Sequence, residues 1–551
     1  MPPTTDIRAV NKSASSFGER SDSDGKATMR SLARLVSNRQ AKRSAAVDGL
    51  PDTCTYSHSD TVENQPKVRI NEVQIQSLLY QLNLRGISVQ RTNGRDPPPE
   101  ALLHDPAAEV PLLVISPRSE WGVEQSLRLL NELGFHGGTQ LPISVKSGGH
   151  GYFNGASCRG IMLNLGEMTN ASITDNTLTV QPGCVLGKTV HLLAHHHKAV
   201  PHGDCFGVGA GGHFITAGWD LILARRYGLG CQSVVGGRVV LWDGSAVEVN
   251  GDQHPDLLHA MRGGAAAGVG VVTEIRLRLI KEPPLATWRF TPITREQLET
   301  CVHHDVISKA LRLPRDISVS FRFHYDADQP ETVCSFNIVS LLPAEDTIEH
   351  LYHHLGHEVA SMVADRSHWH EKTLLSLRML PASKVLAANP DMLAEVTAAK
   401  MHESPLTYWN ESSTSREMAR SYQTSISHWV KPDCQRMLLG MYTAFQSAQN
   451  YPGRHRLYAL VILGGGRMLE AQEQCSMPLG QVLARAETHW DQPGGEEEAW
   501  CRDFTELLSD IIRSEEDPHP GRPYRGDIWK HEQARDLKLD AIFHAYDRRH
   551  R

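Results

Sequence analysis

Ten cysteines are scattered through 551 residues, and no two stand as Cys-x-x-Cys. That spacing excludes a cysteine zinc site and the disulfide framework of a small secreted scaffold. No apolar run approaches the ~20 residues a membrane-crossing helix needs. The stretch from Met1 to about Asn64 has no run of the roughly 7–15 apolar residues of a signal peptide. A chain with no membrane span is expected, with a cytoplasmic location favoured. The histidine-rich runs around His195 and His353 contain no His-Glu-x-x-His, so no metal site is expected. A net charge of -7 is small for this length and argues against a nucleic-acid partner.

What is present is a chain with 40% hydrophobic residues, long enough for a large core and past the roughly 250–300 residues at which single cores divide. Two domains plus tails are expected. Residues 1–66 are polar and read as a disordered tail; within it the basic segment Ala27 to Val47 allows an amphipathic, organelle-targeting helix as a second reading. Apolar residues at helical spacing predict a helix over Val68 to Gly86, which Pro97-Pro98-Pro99 closes off. A strand over Val110 to Ile115, an amphipathic helix over Ser119 to Gly134 and a strand over Pro142 to Val145 then make a βαβ opening.

Two glycine-rich runs follow, Lys146-Ser147-Gly148-Gly149-His150 and His202-Gly203-Asp204-Cys205-Phe206-Gly207-Val208-Gly209-Ala210-Gly211-Gly212-His213. Each frames one nucleophilic side chain. Glycine lets the backbone approach a ligand where no Cβ would fit, and free N–H groups can cradle phosphate or a polar ring edge. Both runs suit one large flat ligand. The run Gly207 to Gly212 formally matches Gly-x-Gly-x-x-Gly, but no clean strand precedes it and Gln232 stands where an acidic residue is required, so a nicotinamide dehydrogenase is disfavoured.

Arg-Ser-Gly-Gly-His followed at a distance by Gly-x-Cys-x-x-Val-Gly-x-Gly-Gly-His resembles the berberine-bridge-enzyme-like branch of the vanillyl-alcohol-oxidase/p-cresol-methylhydroxylase flavoproteins, with Lys146 here in place of the arginine. Further segments resemble that branch in the same order: Gly160 to Leu165, Leu178 to Gly183, Arg225 to Leu229, Val239 to Gly244, and Asp256 to Glu274. The resemblance implies a two-domain α+β fold of the p-cresol-methylhydroxylase type. It divides the chain into an FAD-binding domain at 67–283 with its core at about 107–283, a substrate domain with an antiparallel sheet at 284–516, and a segment at 517–551 that returns to the FAD domain. It further implies FAD attached twice, through His150 to the 8-methyl carbon and through Cys205 to carbon 6. The implied cofactor-binding set is Ser147, Gly148, Gly149, His150, Cys205, Val208, Gly209, Gly211, Gly212, His213, Gly263, Gly264 and Val271. The chain departs from the pattern at Thr216-Ala217-Gly218-Trp219-Asp220, where extra side chains and a carboxylate near a pyrophosphate would weaken cofactor binding or reshape the pocket.

In the second half, strands are expected at Ile317 to His324, Val333 to Leu341 and Leu457 to Leu463, and a helix at Glu345 to Val363. Counting from Pro478, Glu487 falls where the resemblance places a general base on a strand facing the flavin. Tyr152 is its implied neighbour, and Tyr524, in a degraded echo of the family's C-terminal motif, is the further catalytic candidate. Burial would raise the pKa of such a base, while Arg485 on the same strand face would oppose the rise. The implied activity is an FAD-dependent oxidase taking hydride from a small organic substrate (alcohol, sugar, phenolic or alkaloid) with O2 as electron acceptor. The alternative is a non-redox cyclase or binding protein with degraded chemistry, which the altered Thr216 to Asp220 run and the eroded C-terminal tail motivate. No substrate motif stands between Pro292 and Tyr442.

Overall fold

A computed structural model of the chain describes residues 71–94, 109–135, 142–149, 156–203, 207–264, 270–325, 333–378, 380, 422–477, 479–490 and 492–515. The predicted tail at 1–66 and the segment 517–551 lie outside these. In chain order the first half carries β1 (Ser88–Arg91), β2 (Leu113–Ser116), β3 (Ile143–Lys146), β4 (Ile161–Asn164), β5 (Ala171–Thr174), β6 (Thr177–Val180), β7 (Lys198–Ala199), β8 (Val234–Leu241), β9 (Ala246–Val249), β10 (Gly270–Arg278) and β11 (Ile280–Lys281).

The opening helices form where their sequences supply caps. Asn71 and Ser119 accept hydrogen bonds from the N–H groups of Val73 and Gly122, starting the helices Glu72–Leu84 and Glu120–Glu132. Their apolar stripes, Ile75, Leu78 and Leu82 on one and Val123, Leu127 and Leu130 on the other, pack with Leu113, Ile115, Ile161 and Leu163 of a sheet ordered β1-β2-β4-β3. Truncating one such fully buried leucine, as in Leu78→Ala, is worth about 2–5 kcal/mol. β4 pairs in parallel with both β2 and β3, so the βαβ opening places β4 between its two strands.

A second sheet, β5-β6-β10-β8-β9, is antiparallel throughout. The two-residue side-chain period of β8 divides its valines. Val239 faces one core with Val249 and Leu257, and Val240 joins Val271 in the other beside Leu127. One strand thereby ties the two sheets of this half together.

The second half is built on seven strands: β12 (Ala286–Pro292), β13 (Ile317–His324), β14 (Cys334–Ser340), β15 (His370–Lys372), β16 (Tyr422–Val430), β17 (Leu457–Leu463) and β18 (Val482–Trp490). They form one antiparallel sheet in the order β15-β12-β14-β13-β17-β18-β16. One face carries Phe321, Phe323, Phe336, Ala459, Val461 and Ala486 against helices that include Gln435–Ser447 and Glu496–Arg513. In the latter helix Trp500, Phe504, Leu508 and Ile512 recur every fourth residue and fill that core. The predicted helix Glu345 to Val363 is two helices, Ala344–Leu355 and His357–Ser361. Gly356 breaks it at φ +91°, a conformation open to glycine that ends the first helix.

The opposite face of this sheet turns to the first half. Trp429, Leu460, Ile462 and Leu483 join Ala217, Trp219 and Ala224 in one apolar cluster, and Trp288 and Val339 join Ile222 and Leu223 in another. Arg225 bridges the halves by donating to the carbonyls of Gly464 at 2.7 Å and Leu313 at 2.8 Å. Among the described residues no helix is long and apolar enough to cross a membrane.

Candidate functional site

The two glycine runs meet at Gly148 and Gly209. A Cβ on Gly148 would lie 2.4 Å from the Gly209 nitrogen, and one on Gly209 would lie 2.2 Å from the Gly148 nitrogen and 2.7 Å from Ser147 Oγ. No side chain fits in either place. Ser147 Oγ donates to the Pro182 carbonyl, whose oxygen also accepts from Gly211 N–H at 3.0 Å. A Cβ on Gly211 would lie 2.7 Å from both Pro182 Cβ and Ser147 Oγ. Gly149 sits at φ +74°, in the left-handed region that favours glycine. Gly209 also bridges Val185, and Val208 holds Leu186 N–H through its carbonyl at 2.9 Å.

The structure therefore brings Ser147, Gly148, Val208, Gly209 and Gly211 into one cradle. Gly212 differs: it is exposed, and no atom lies within 4 Å of the position a Cβ would take. The cradle is tight within and open at Gly212, which fits a ligand lying on backbone. His150, Tyr152, Cys205 and Tyr524 lie outside the described residues.

His213 holds the base of the second run. Its Nε2 accepts Gly203 N–H at 3.0 Å, which requires that nitrogen to be unprotonated. Burial pushes the ring's pKa down to about 4. His202 is likewise driven toward its neutral form by burial, with Arg378 adding to the effect.

Asp220 corrects the expectation drawn from the Thr216 to Asp220 run. Its side chain is fully enclosed and caps the following turn, with Oδ1 accepting from Ile222 N–H at 2.7 Å and Leu223 N–H at 2.9 Å. Oδ2 accepts from His202 N–H at 2.9 Å and Arg378 Nη2 at 2.7 Å. A buried carboxylate with this set of donors is compensated where it stands and leaves no charge for a ligand phosphate to meet. Arg378 also donates to the His202 carbonyl at 3.2 Å. The ion pair pins the start of the run that carries Cys205, and sequence reasoning missed it.

Gly263 and Gly264 sit at φ +130° and +89°. A Cβ on Gly263 would lie 2.8 Å from Met477 N and Ser476 Oγ, so this glycine admits a segment of the second half. Ser476 N–H donates to the Arg262 carbonyl at 2.7 Å, and Gly263 N–H to Ile215 at 3.0 Å. Val271 is 1% exposed and packs with Val240, so its side chain serves the core.

Glu487 lies on the sheet face turned to the first half. Its cross-strand neighbours are Ser425 on β16 and Tyr458 on β17, and the next row along holds Ser427, Arg485, Leu460 and Arg322. Beyond these, the row Trp429, Leu483 and Ile462 makes the apolar contact with Trp219. At about 3.3 Å per residue, Glu487 stands roughly 13 Å along β18 from Leu483. Arg485 Nη2 donates to Glu487 Oε2 at 3.1 Å, the two side chains being 20% and 13% exposed. The expected Arg485–Glu487 pairing is present.

A cradle of crossing glycines in a two-sheet half, faced by a half built on one seven-stranded antiparallel sheet, makes a two-domain α+β fold. Residues 111–250 match the family described as FAD binding domain. The chain is 31% identical over 235 residues to a glucooligosaccharide oxidase of Sarocladium strictum, covering 41% of this chain and 44% of that protein. It is 29% identical over 261 residues to berberine bridge enzyme-like 23 of Arabidopsis thaliana, covering 44% of each. The matches thus span under half the length of these relatives. Among solved structures, a chitooligosaccharide oxidase superposes with a TM-score of 0.65 at 17% identity, covering 86% of this chain and 97% of that one. A berberine-bridge-enzyme-like protein of Physcomitrella patens superposes with a TM-score of 0.61 at 17% identity, covering 82% and 91%. Residues 111–250 carry an FAD binding domain, and the chain is similar to berberine-bridge-enzyme-like flavoproteins in sequence over part of its length and in fold over most of it.

Proposed function

We propose that this protein is an FAD-dependent oxidase of a small organic alcohol, sugar, phenolic or alkaloid. The observation that carries the reading is the mutual exclusion of any side chain at Gly148 and Gly209 beside an open Gly212, a cradle that bare backbone alone can form. The oxidase names of the relatives support the same reading. FAD, when bound, supplies a two-electron acceptor that O2 can reoxidise. Ser147, Gly148, Gly149, Val208, Gly209, Gly211, Gly212 and Gly264 would hold it by backbone approach, with His213 supporting the cradle, while Gly263 makes room for Ser476 and Met477 and Val271 packs in the core. His150 and Cys205 are the two groups proposed to bond it covalently.

Glu487 acts as general base. Its carboxylate accepts the proton of the substrate O–H, N–H or phenol, while Arg485 at 3.1 Å orients it. Tyr152 is proposed as its neighbour over the ring, and Tyr524 as the next candidate for the base. Residues 67–283 with 517–551 are assigned to the FAD domain and 284–516 to the substrate domain. The reading of degraded, non-redox chemistry loses one of its two motives in Asp220, since that carboxylate is taken up by Arg378 and three backbone N–H groups.

The test is acid precipitation of the purified protein followed by mass spectrometry of its tryptic peptides, with a peroxide-release screen across donors. Flavin mass on the His150 and Cys205 peptides, with peroxide from at least one donor, is the expected result. A colourless protein would sink the cofactor, unmodified peptides the covalent links, and a yellow protein that no donor bleaches the oxidase.

A further inference from the structure

On the sheet face that bears Glu487, Arg322 has no partner of opposite charge among the described residues. It sits on β13 opposite Leu460 of β17, whose other neighbour is Arg485 of β18. Arg485 spends charge on Glu487 at 3.1 Å. Arg322 has no carboxylate beside it among the described residues: its guanidinium carbon lies 5.5 Å from the ring centroid of Tyr458, and its Nε is buried with no hydrogen-bond acceptor. Among the described residues it makes no ion pair. Its immediate surroundings are the hydroxyl-bearing Ser320 and Ser335, His324 and the ring of Tyr458, none of them an anion. His489, next beyond Glu487 on the same face of β18, is driven toward neutrality by burial. Among the described residues the patch thus holds two guanidinium groups against one carboxylate.

A half-buried guanidinium whose Nε is out of water and unbonded is costly, and stacking on tyrosine offsets only part of that cost. The arrangement is stable where an acceptor arrives with the ligand. The ring of Tyr458 lies to one side of the guanidinium, and a carboxylate is the anion that matches the guanidinium fork with two parallel hydrogen bonds. A dianionic phosphate suits the patch less well, because Glu487 lies on the neighbouring row.

We propose that Arg322 binds a carboxylate of the substrate, so that the molecule presented to Glu487 is a ring-sized hydroxy acid and not a neutral sugar or alcohol. The proposal rests on the oxidase reading for the identity of the oxidised group, and on Arg322 alone for the anion. Two strand spacings of about 4.8 Å and a shift of two residues, about 6.6 Å, put the α-carbons of Arg322 and Glu487 roughly 12 Å apart. Once both side chains reach inward, the gap fits one six-membered ring with a carboxylate at one end and a hydroxyl at the other. Arg322 is a specificity-determining residue that touches substrate at the end away from the reacting carbon.

The test is isothermal titration calorimetry of the full-length holoprotein, without turnover, using two matched pairs: 4-(hydroxymethyl)benzoate against 4-(hydroxymethyl)benzamide, and D-glucuronate against D-glucose. The expected result is at least about tenfold tighter binding of the acid in one pair, weakening with salt as an ion pair does. Arg322→Gln should abolish the preference and leave the affinity for the neutral partner unchanged, and Arg322→Lys, which keeps the charge and loses the fork, should retain part of it. No preference for the acid in either pair, including no binding at all, overturns the proposal. So does a preference that survives in a folded Arg322→Gln protein. Because the readout needs no peroxide, Arg322-dependent acid binding together with no turnover of any donor would reject the oxidase reading and leave the anion site standing.

Discussion

Asp220 and Arg378 are 158 positions apart in the chain, and their carboxylate and guanidinium meet at 2.7 Å in a site where the side chains are 0% and 4% exposed. The pair also collects the backbone of His202, where the cysteine-bearing loop departs. Two long stretches of chain are held by one contact, and its energetics are those of a buried charge pair: small net gain when whole, large loss when halved.

Arg378→Met should therefore cost about 3–5 kcal/mol of unfolding free energy, since it strands the Asp220 carboxylate. The double variant with Asp220→Asn should be less destabilised than the single one. Urea titrations of the four proteins form the cycle, and simple additivity would show that the pair is not coupled.

Acid should weaken the loop's base before the carboxylates titrate. The folded pKa of His213, about 4, lies below its ordinary 6.5. Above pH 6.5 both states are largely neutral and the group has no effect. As pH falls from there toward 4, the unfolded chain binds the proton first and stability is lost across that window. His202 shifts in the same direction. Thermal melts of wild type and His213→Gln between pH 7 and 4.5 should show the variant losing less, and parallel curves would remove His213 from the account.

Gly148→Ala and Gly209→Ala each force a Cβ to within 2.4 Å of backbone nitrogen. Flavin absorbance per protein should drop sharply in either variant. Gly251→Ala, outside the cradle and meeting no atom within 4 Å, should load normally. Equal loading in all three would mean that the crossing does not shape the cofactor site.

Replacing Glu487 with Gln should slow flavin reduction by on the order of 10²–10⁴ while leaving flavin content unchanged. The carbonyl of the glutamine can still accept from Arg485, so the strand face should survive. Stopped-flow reduction by a substrate found in the peroxide screen reads the effect directly. An unchanged rate would turn the search to Tyr152 and Tyr524.

Local pattern carried much of the fold. The helices Glu72–Leu84 and Glu120–Glu132 and the strands Ile317–His324 and Leu457–Leu463 stand where apolar periodicity places them, because burying one stripe or face is a local demand that composition meets locally. The glycine runs were legible for the same reason: an absent Cβ is written in the sequence whatever lies across from it. The sequence could not show that Gly148 and Gly209 exclude side chains for each other's sake, or that Gly263 makes room for Ser476 and Met477. Nor could it show the break at Gly356, where a helical pattern runs on through a residue that adopts a positive φ. Asp220 reads as a charge beside a phosphate site until Arg378 arrives from 158 residues away, and Arg322 reads as one more strand arginine until Tyr458 lies under it. Residue type and spacing set which backbone shapes are allowed and which faces must be buried. Which charges cancel and which stay available is a matter of distances in space, and only the folding of distant segments against one another decides those.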